Sequence, residues 1–290
     1  MKSMYFSAFC RPGEAVAAEF VWQCGECKTL RPYLDLVDAL RQKNPQVLIG
    51  QYQSASTAYI GPSFDFIPPR RLYGTMIPEE YYLHGTDGNR VQWPGVYYCH
   101  YLDIRKPQVR RSILEVAFAR AQLLGAQAVC FDNCFYRTTP CSPFPGYCEE
   151  WTAACLDFAR EAAETFRPNI RVVCNVAVGD AYQIPEAMDA YLKHVDGFMT
   201  ENPFHADNRN NPTRLASEIA GYQKWAGKKI VLLLVPKTKD GKQDIERTKF
   251  ALDSIRSIAE TTNGRPLTMY GGIYCTSAGQ RITEIDWSLP

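Results

Sequence analysis

A chain of 290 residues is long enough to bury a full core and needs neither disulfides nor metal to fold. Its 32 Lys and Arg balance 31 Asp and Glu, so no net field draws it to nucleic acid or to an anionic membrane. No apolar run approaches the roughly 20 residues that span a bilayer. The opening apolar segment is too short and broken for a secretory signal. The chain therefore reads as soluble, cytoplasmic as written, or secreted if a leader was removed.

Met4 to Phe9 and Glu19 to Gln23 carry the aromatic and β-branched residues of strands. Leu30 to Lys43 places Leu30, Tyr33, Leu34, Val37 and Leu40 at helical spacing and stops at Asn44-Pro45. Val47 to Gln53 is a third strand. From Ser54 to Val96 the periodicity disappears, and Pro, Gly and aromatics such as Tyr59, Tyr73 and Trp93 define a long aromatic-rich loop. Its rings suit the CH faces of sugars, or else bury the loop against the rest of the fold.

Val109 to Leu124 is the clearest helix. Val109, Ile113, Val116, Ala117, Ala121 and Leu124 form its apolar stripe, with Arg110, Arg111 and Glu115 expected away from it. Pro107 suits its first turn and Gly125 its end. Gly125 to Tyr136 then holds a short apolar run that stops at Asp132-Asn133, the pattern of a parallel strand covered on both faces. Cys148 to Phe166 is helical, Ile170 to Val178 a fifth strand, Ile184 to His194 a short helix and Val195 to Asn202 a sixth strand. Helices at Arg214 to Ala226 and Asp244 to Thr261 flank a seventh strand, Lys229 to Pro236, and Leu267 to Ile273 supplies an eighth.

Eight strands separated mainly by helices predict an α/β fold, a single-domain (β/α)8 TIM barrel over 1–290. A doubly wound open sheet is second choice, since no Gly-rich phosphate loop follows the first strand. In a barrel the strand ends gather Asp132-Asn133, Asn175 and Glu201-Asn202 at one rim. Two carboxylates there suit glycosidic bond cleavage, one protonating the leaving oxygen while the other attacks or activates water, and their pKa values must then be pushed apart. Asp132 and Glu201 are the candidate catalytic pair. Tyr52, Trp93, Asn133, Asn175, Asn202 and Tyr270 are the candidate substrate-binding residues, although the Asn side chains also suit local turn bonds.

The eleven cysteines are an odd number, and Cys130 and Cys174 fall inside strands, where free Cys packs as a small hydrophobe. Cys24-Gly-Glu26-Cys27 lacks the second ligand pair of a zinc site. Cys134, Cys141 and Cys148 lie close enough in sequence for a disulfide to pin the loop after Asp132. His84, His100, His194 and His205 have no metal-ligand spacing, and no Gly-x-Ser-x-Gly elbow occurs, so no metal or cofactor is expected and serine hydrolysis is disfavoured. Lys237, past the seventh strand, suits either a surface role or the Schiff base of an aldolase-like barrel.

Three segments carry a resemblance: Asp103, Pro107 and Arg110 in Leu102 to Arg110; Ala128-Val-Cys-Phe-Asp132-Asn133; and Gly197-Phe-Met-Thr-Glu201-Asn202. Between about Val47 and Phe204 the chain resembles the glycoside-hydrolase TIM barrels related to endo-α-1,4-polygalactosaminidase. The resemblance implies that the Asp closing the fourth strand and the Glu closing the sixth, here Asp132 and Glu201, are the catalytic pair. It implies a polysaccharide or oligosaccharide substrate, with amino sugars in view. Members usually approach the fourth-strand Asp through Gly-Val or Gly-Ile, where this chain has Gln127-Ala-Val-Cys-Phe, and many are exported. Glu201 as proton donor and Asp132 as nucleophile or base is the preferred assignment. A barrel that binds carbohydrate without cleaving it is the competing reading.

Overall fold

Eight strands, all paired in parallel, hydrogen-bond in a closed order in the computed structural model of the chain. It describes residues 2–7, 20–23, 30–59, 77–93, 96–132, 147–175, 189–190, 192–201, 220, 224, 230–235 and 269–275. The barrel strands are β1 (Lys2–Ser7), β2 (Phe20–Gln23), β3 (Leu48–Ser54), β7 (Ala128–Asp132), β8 (Arg171–Asn175), β9 (Gly197–Glu201), β10 (Ile230–Val235) and β11 (Met269–Cys275). Their order is β1-β11-β10-β9-β8-β7-β3-β2, in which β2 returns to β1. The first strand thus begins two residues earlier than its composition suggests.

The registers fix the barrel's stagger. One way round, Ser7 is level with Gln23, Gln51 and Val129. The other way, Lys2 is level with Tyr270, Leu232, Met199 and Asn175, on the rung next above the Phe131–Cys174 pair. The circuit therefore returns displaced by eight residues, one for each strand, which is the shear of a tilted eight-stranded barrel.

Of the helices α1 (Leu30–Lys43), α2 (Pro107–Leu124) and α3 (Tyr147–Phe166), α2 packs on β3 and β7, α3 packs on β8, and α1 packs on α2. Pro107 opens α2, and Gly125 closes it in the left-handed region at φ 57°, its N–H reaching Ala121 and Gln122 carbonyls. A Cβ at Gly125 would lie 2.9 Å from the Arg41 guanidinium, which also donates to the Gly125 carbonyl at 2.6 Å. That contact joins the end of α1 to the end of α2. Beneath α3, the Phe131 ring meets Phe158 edge-on at 4.9 Å and Phe166 at 5.8 Å. Since Phe131 faces the helices, strand alternation turns its neighbours Cys130 and Asp132 to the barrel interior.

Two expectations are corrected. The stretch from Ser54 to Val96 is not wholly loop: β4 (Thr57–Tyr59) and β5 (Gln92–Trp93) pair antiparallel with β6 (Val96–Tyr101) in a separate sheet ordered β4-β6-β5. Its strands are short, and β4 finds its partner far along the chain, so no local periodicity announces the sheet. Arg110, expected on the wet face of its helix, is only 4% exposed. Its guanidinium spans to α3, donating to Glu161 at 2.7 and 3.0 Å, and also donates to the Ile104 carbonyl at 2.8 Å. A charge is buried here because a partner and a carbonyl receive it.

Cys130 and Cys174 are fully buried in strands, the setting expected of them. Glu26, the Cys24–Cys27 pair, Cys134, Cys141, Lys237 and His205 lie outside the described residues, as do most of the helices expected at 184–194, 214–226 and 244–261. Cys148 is placed in α3 by its backbone alone.

Candidate active site

The site begins with the last residue of β7. Its five residues, Ala128 to Asp132, are all buried. Small and apolar side chains let the strand pass between the barrel interior and the helices, and only its final residue is charged. Asp132 retains 9% exposure at the C-terminal end of the strand.

Two neighbours hold its carboxylate. The Tyr52 hydroxyl of β3 donates to Oδ2. The Asn175 amide, closing β8, donates to Oδ1 at 2.7 Å. Both partners are themselves buried, Tyr52 at 8% exposure and Asn175 at 3%. The backbone is fixed too: the Asp132 carbonyl accepts the Ala55 N–H at 2.8 Å. Ser54, the register partner of Asp132, bonds Thr57 through their hydroxyls at 2.6 Å and accepts the Thr57 N–H at 3.1 Å. The chain leaving β3 is thereby clamped over the end of β7, and Ser56 extends the clamp by accepting the Leu102 N–H at 2.8 Å.

Glu201 is the last residue of β9. Asn175 is level with Met199 in the β8–β9 ladder, so Glu201 stands two residues further along its strand. With a stagger of one residue per strand, crossing the two strand spacings from β7 to β9 at constant height advances the register by two. The height of Asp132 thus falls at Glu201, and the even offset keeps the same strand face.

The remaining expected site residues are placed unevenly. Trp93 belongs to β5 of the separate sheet, paired with Val96 rather than lying on a barrel strand. Tyr270 is the second residue of β11, level with Lys2 and Leu232, at the end where that strand begins. Asn133 and Asn202 lie outside the described residues. Tyr52 meets Asp132 itself. Ser54 and Thr57, which the sequence reading passed over, stand beside the carboxylate. Their signal was available: two hydroxyls at the end of a strand, three residues apart, are a common turn pattern.

Several other ionisable groups are engaged with one another. Glu79 is held well below the usual carboxylate range, at about 2, by hydrogen bonds from Arg90 and His84. The Arg90 guanidinium lies 3.8 Å from the Tyr82 ring centre, and burial pushes the Tyr82 hydroxyl up. Asp103 and Arg110, two residues of the segment that carries the resemblance, serve ion pairs instead: Asp103 accepts from Arg105 at 2.7 Å, and Arg110 clasps Glu161. Among the described residues no cluster of three His, Cys, Asp or Glu is arranged to hold a metal, and no helix is long and apolar enough to cross a membrane.

Comparison with known proteins finds likeness in shape alone. No family model and no curated protein sequence matches the chain. Among solved structures it is similar to Ega3 of Aspergillus fumigatus, crystallised with galactosamine, at a TM-score of 0.54 and 13% identity, over 93% of this chain and 91% of that one. It is similar to the α-galactosidase TtGalA of Thermus thermophilus, in complex with p-nitrophenyl α-D-galactopyranoside, at 0.56 and 12%, over 93% of this chain and 57% of that one. It is equally similar in outline to the chitinase-like agglutinin RobpsCRA of Robinia pseudoacacia, at 0.52 and 9%, over 93% of each chain. At such identities these matches show a fold shared with glycoside hydrolases.

Proposed function

We propose that this chain is a single-domain (β/α)8 glycoside hydrolase acting on a polysaccharide or oligosaccharide, with Asp132 and Glu201 as its working pair. The observation that carries the reading is Asp132 itself: a buried carboxylate at the C-terminal end of the fourth barrel strand, with a donor on each oxygen. A carboxylate so placed is costly to bury, and the C-terminal end of a barrel strand is where such a fold carries its reacting groups.

Glu201 is two strands away, a backbone span of roughly 9–10 Å at the usual strand spacing. Carboxyl side chains reaching inward across such a span can come within the separations over which glycosidase pairs act. In the proposed reaction Glu201, protonated, gives its proton to the glycosidic oxygen as the bond to the anomeric carbon breaks. Asp132 either attacks that carbon, forming a glycosyl ester that water later cleaves, or takes a proton from the water that attacks. Two donors on Asp132 favour the role that needs a carboxylate and leave proton donation to Glu201. Asn133, Asn202 and Trp93 are assigned to substrate binding, and Ega3's galactosamine complex makes amino sugars the first class to try.

A second reading is a barrel that binds sugar without cleaving it, favoured by the likeness to an agglutinin. Release of reducing ends from a panel of galactosamine-, glucosamine- and neutral-sugar polymers separates the two. The hydrolase reading expects cleavage that falls at least about a hundredfold in both Asp132→Asn and Glu201→Gln. Cleavage that survives both substitutions overturns the site, and sugar binding without cleavage establishes the second reading.

A further inference from the structure

We propose that Tyr52 is a positioning residue for Asp132, its hydroxyl and the Asn175 amide together holding the carboxylate in one orientation. This deepens the reading above and rests on Asp132 being the group that reacts. Tyr52 is a strand residue with an aromatic ring near the rim, a type usually assigned to sugar stacking. The geometry assigns it otherwise. Its hydroxyl is spent on Oδ2 of Asp132, and the side chain is buried, so little ring face is left for a ligand.

The arrangement is built from strand register. Tyr52 is level with Cys130, two residues below Asp132 on the same interior face of the barrel. A residue with a shorter side chain at that rung would fall short, whereas the phenol is long enough to carry its O–H up to the carboxylate. Asn175 approaches from the opposite neighbouring strand and takes the other oxygen. With Tyr52 on β3 and Asn175 on β8, the carboxylate is gripped from both sides of β7 and its torsion is fixed. Both partners act as donors, so each occupies a lone pair of the carboxylate and leaves the others aimed at a reacting carbon or water.

The test uses the full chain labelled with ¹³Cγ-aspartate, following the Asp132 carboxyl resonance with pH and assigning it with Asp132→Asn. Tyr52→Phe keeps the ring and removes only the O–H. In this variant the Asp132 carboxyl resonance is expected to shift away from the parent's at matched pH. Site-specific 3-fluorotyrosine at position 52, a stronger donor of the same shape, moves it the other way. Tyr82→Phe, the same chemical change at a buried tyrosine bridged to Leu102 outside the barrel strands, leaves it in place. An Asp132 resonance unmoved by both changes at position 52 overturns the proposal, as does an equal shift in Tyr82→Phe. These readings need no turnover, so they stand even if no polymer is cleaved. Where cleavage is found, the acid limb of its pH profile is expected to move with the resonance in Tyr52→Phe. A limb that stays put while the resonance moves retains the contact but overturns its catalytic use.

Discussion

Asn175 and Asp132 close neighbouring parallel strands, and the amide of one donates to the carboxylate of the other across 2.7 Å. The contact is buried, so its strength depends on both partners being present. Replacing Asn175 by Ala leaves Oδ1 without this donor, and the expected cost is about 1–3 kcal/mol in urea unfolding together with reduced turnover. Asn175→Asp sets a second carboxylate against the first, and its activity is expected to fall on the order of tenfold below the Ala variant. Parallel unfolding and reducing-end assays read both effects. An Asp variant as active as the parent would mean that Asp132 tolerates a like charge and carries no essential charge itself.

Phe131 bears the packing that orients Asp132. Its ring lies against Phe158 and Phe166, with no exposed surface. Phe131→Ala is expected to cost about 3–5 kcal/mol, because the two remaining rings close the cavity only in part. Activity per folded molecule should also fall, since the adjacent strand end loses its anchor. Urea unfolding followed by activity at matched folded fraction separates the two losses.

Arg110 joins α2 to α3 through Glu161. Arg110→Met removes a buried cation that also serves the Ile104 carbonyl, and stability is expected to fall by about 2–4 kcal/mol. The figure is kept below that of a fully buried pair because Glu161 is 24% exposed and can be hydrated. A double Arg110→Met, Glu161→Leu variant should recover more than half the loss. Failure to recover would place the energy in the carbonyl contacts instead of the ion pair.

His100 supplies a pH dependence away from the site. Burial pushes its imidazole below the usual histidine range, and its Nδ1 has no hydrogen-bond partner among the described residues. The unfolded chain therefore takes up this proton more readily than the folded one. Stability is full above the ordinary histidine value of about 6.5 and is lost as pH falls from there through the lower folded value. His100→Phe preserves a ring opposite Tyr82, whose present contact is edge-on at 6.2 Å. The variant should flatten the decline of Tm between about pH 7 and 5. A slope unchanged by the substitution would assign the acid sensitivity to other groups.

Local chemistry made much of the scaffold legible. Leu30–Lys43 has the bounds its apolar spacing and Asn44-Pro45 suggest, and α2 runs from Pro107 to the residue before Gly125. Such signals are local: proline opens a helix because it needs no donor there, and glycine ends one because it enters the left-handed region freely. The apolar run before Asp132 likewise marked a strand covered on both faces. The β4-β6-β5 sheet escaped because β5 is only two residues long and β4 is satisfied by a partner far along the chain. Arg110 escaped for the same reason, its carboxylate lying on another helix.

What the sequence by itself determined is the barrel strands, the helices α1 to α3 and the two strands that end in acids, since propensity, alternation and capping act over a few residues. What only the tertiary structure decided is the company those residues keep. Barrel stagger brings Glu201 to the height of Asp132, and register turns Tyr52 from a surface for sugar into a donor to the carboxylate. Those relations depend on closure and strand offset, which are set by packing summed over the whole sheet and are written in no single segment.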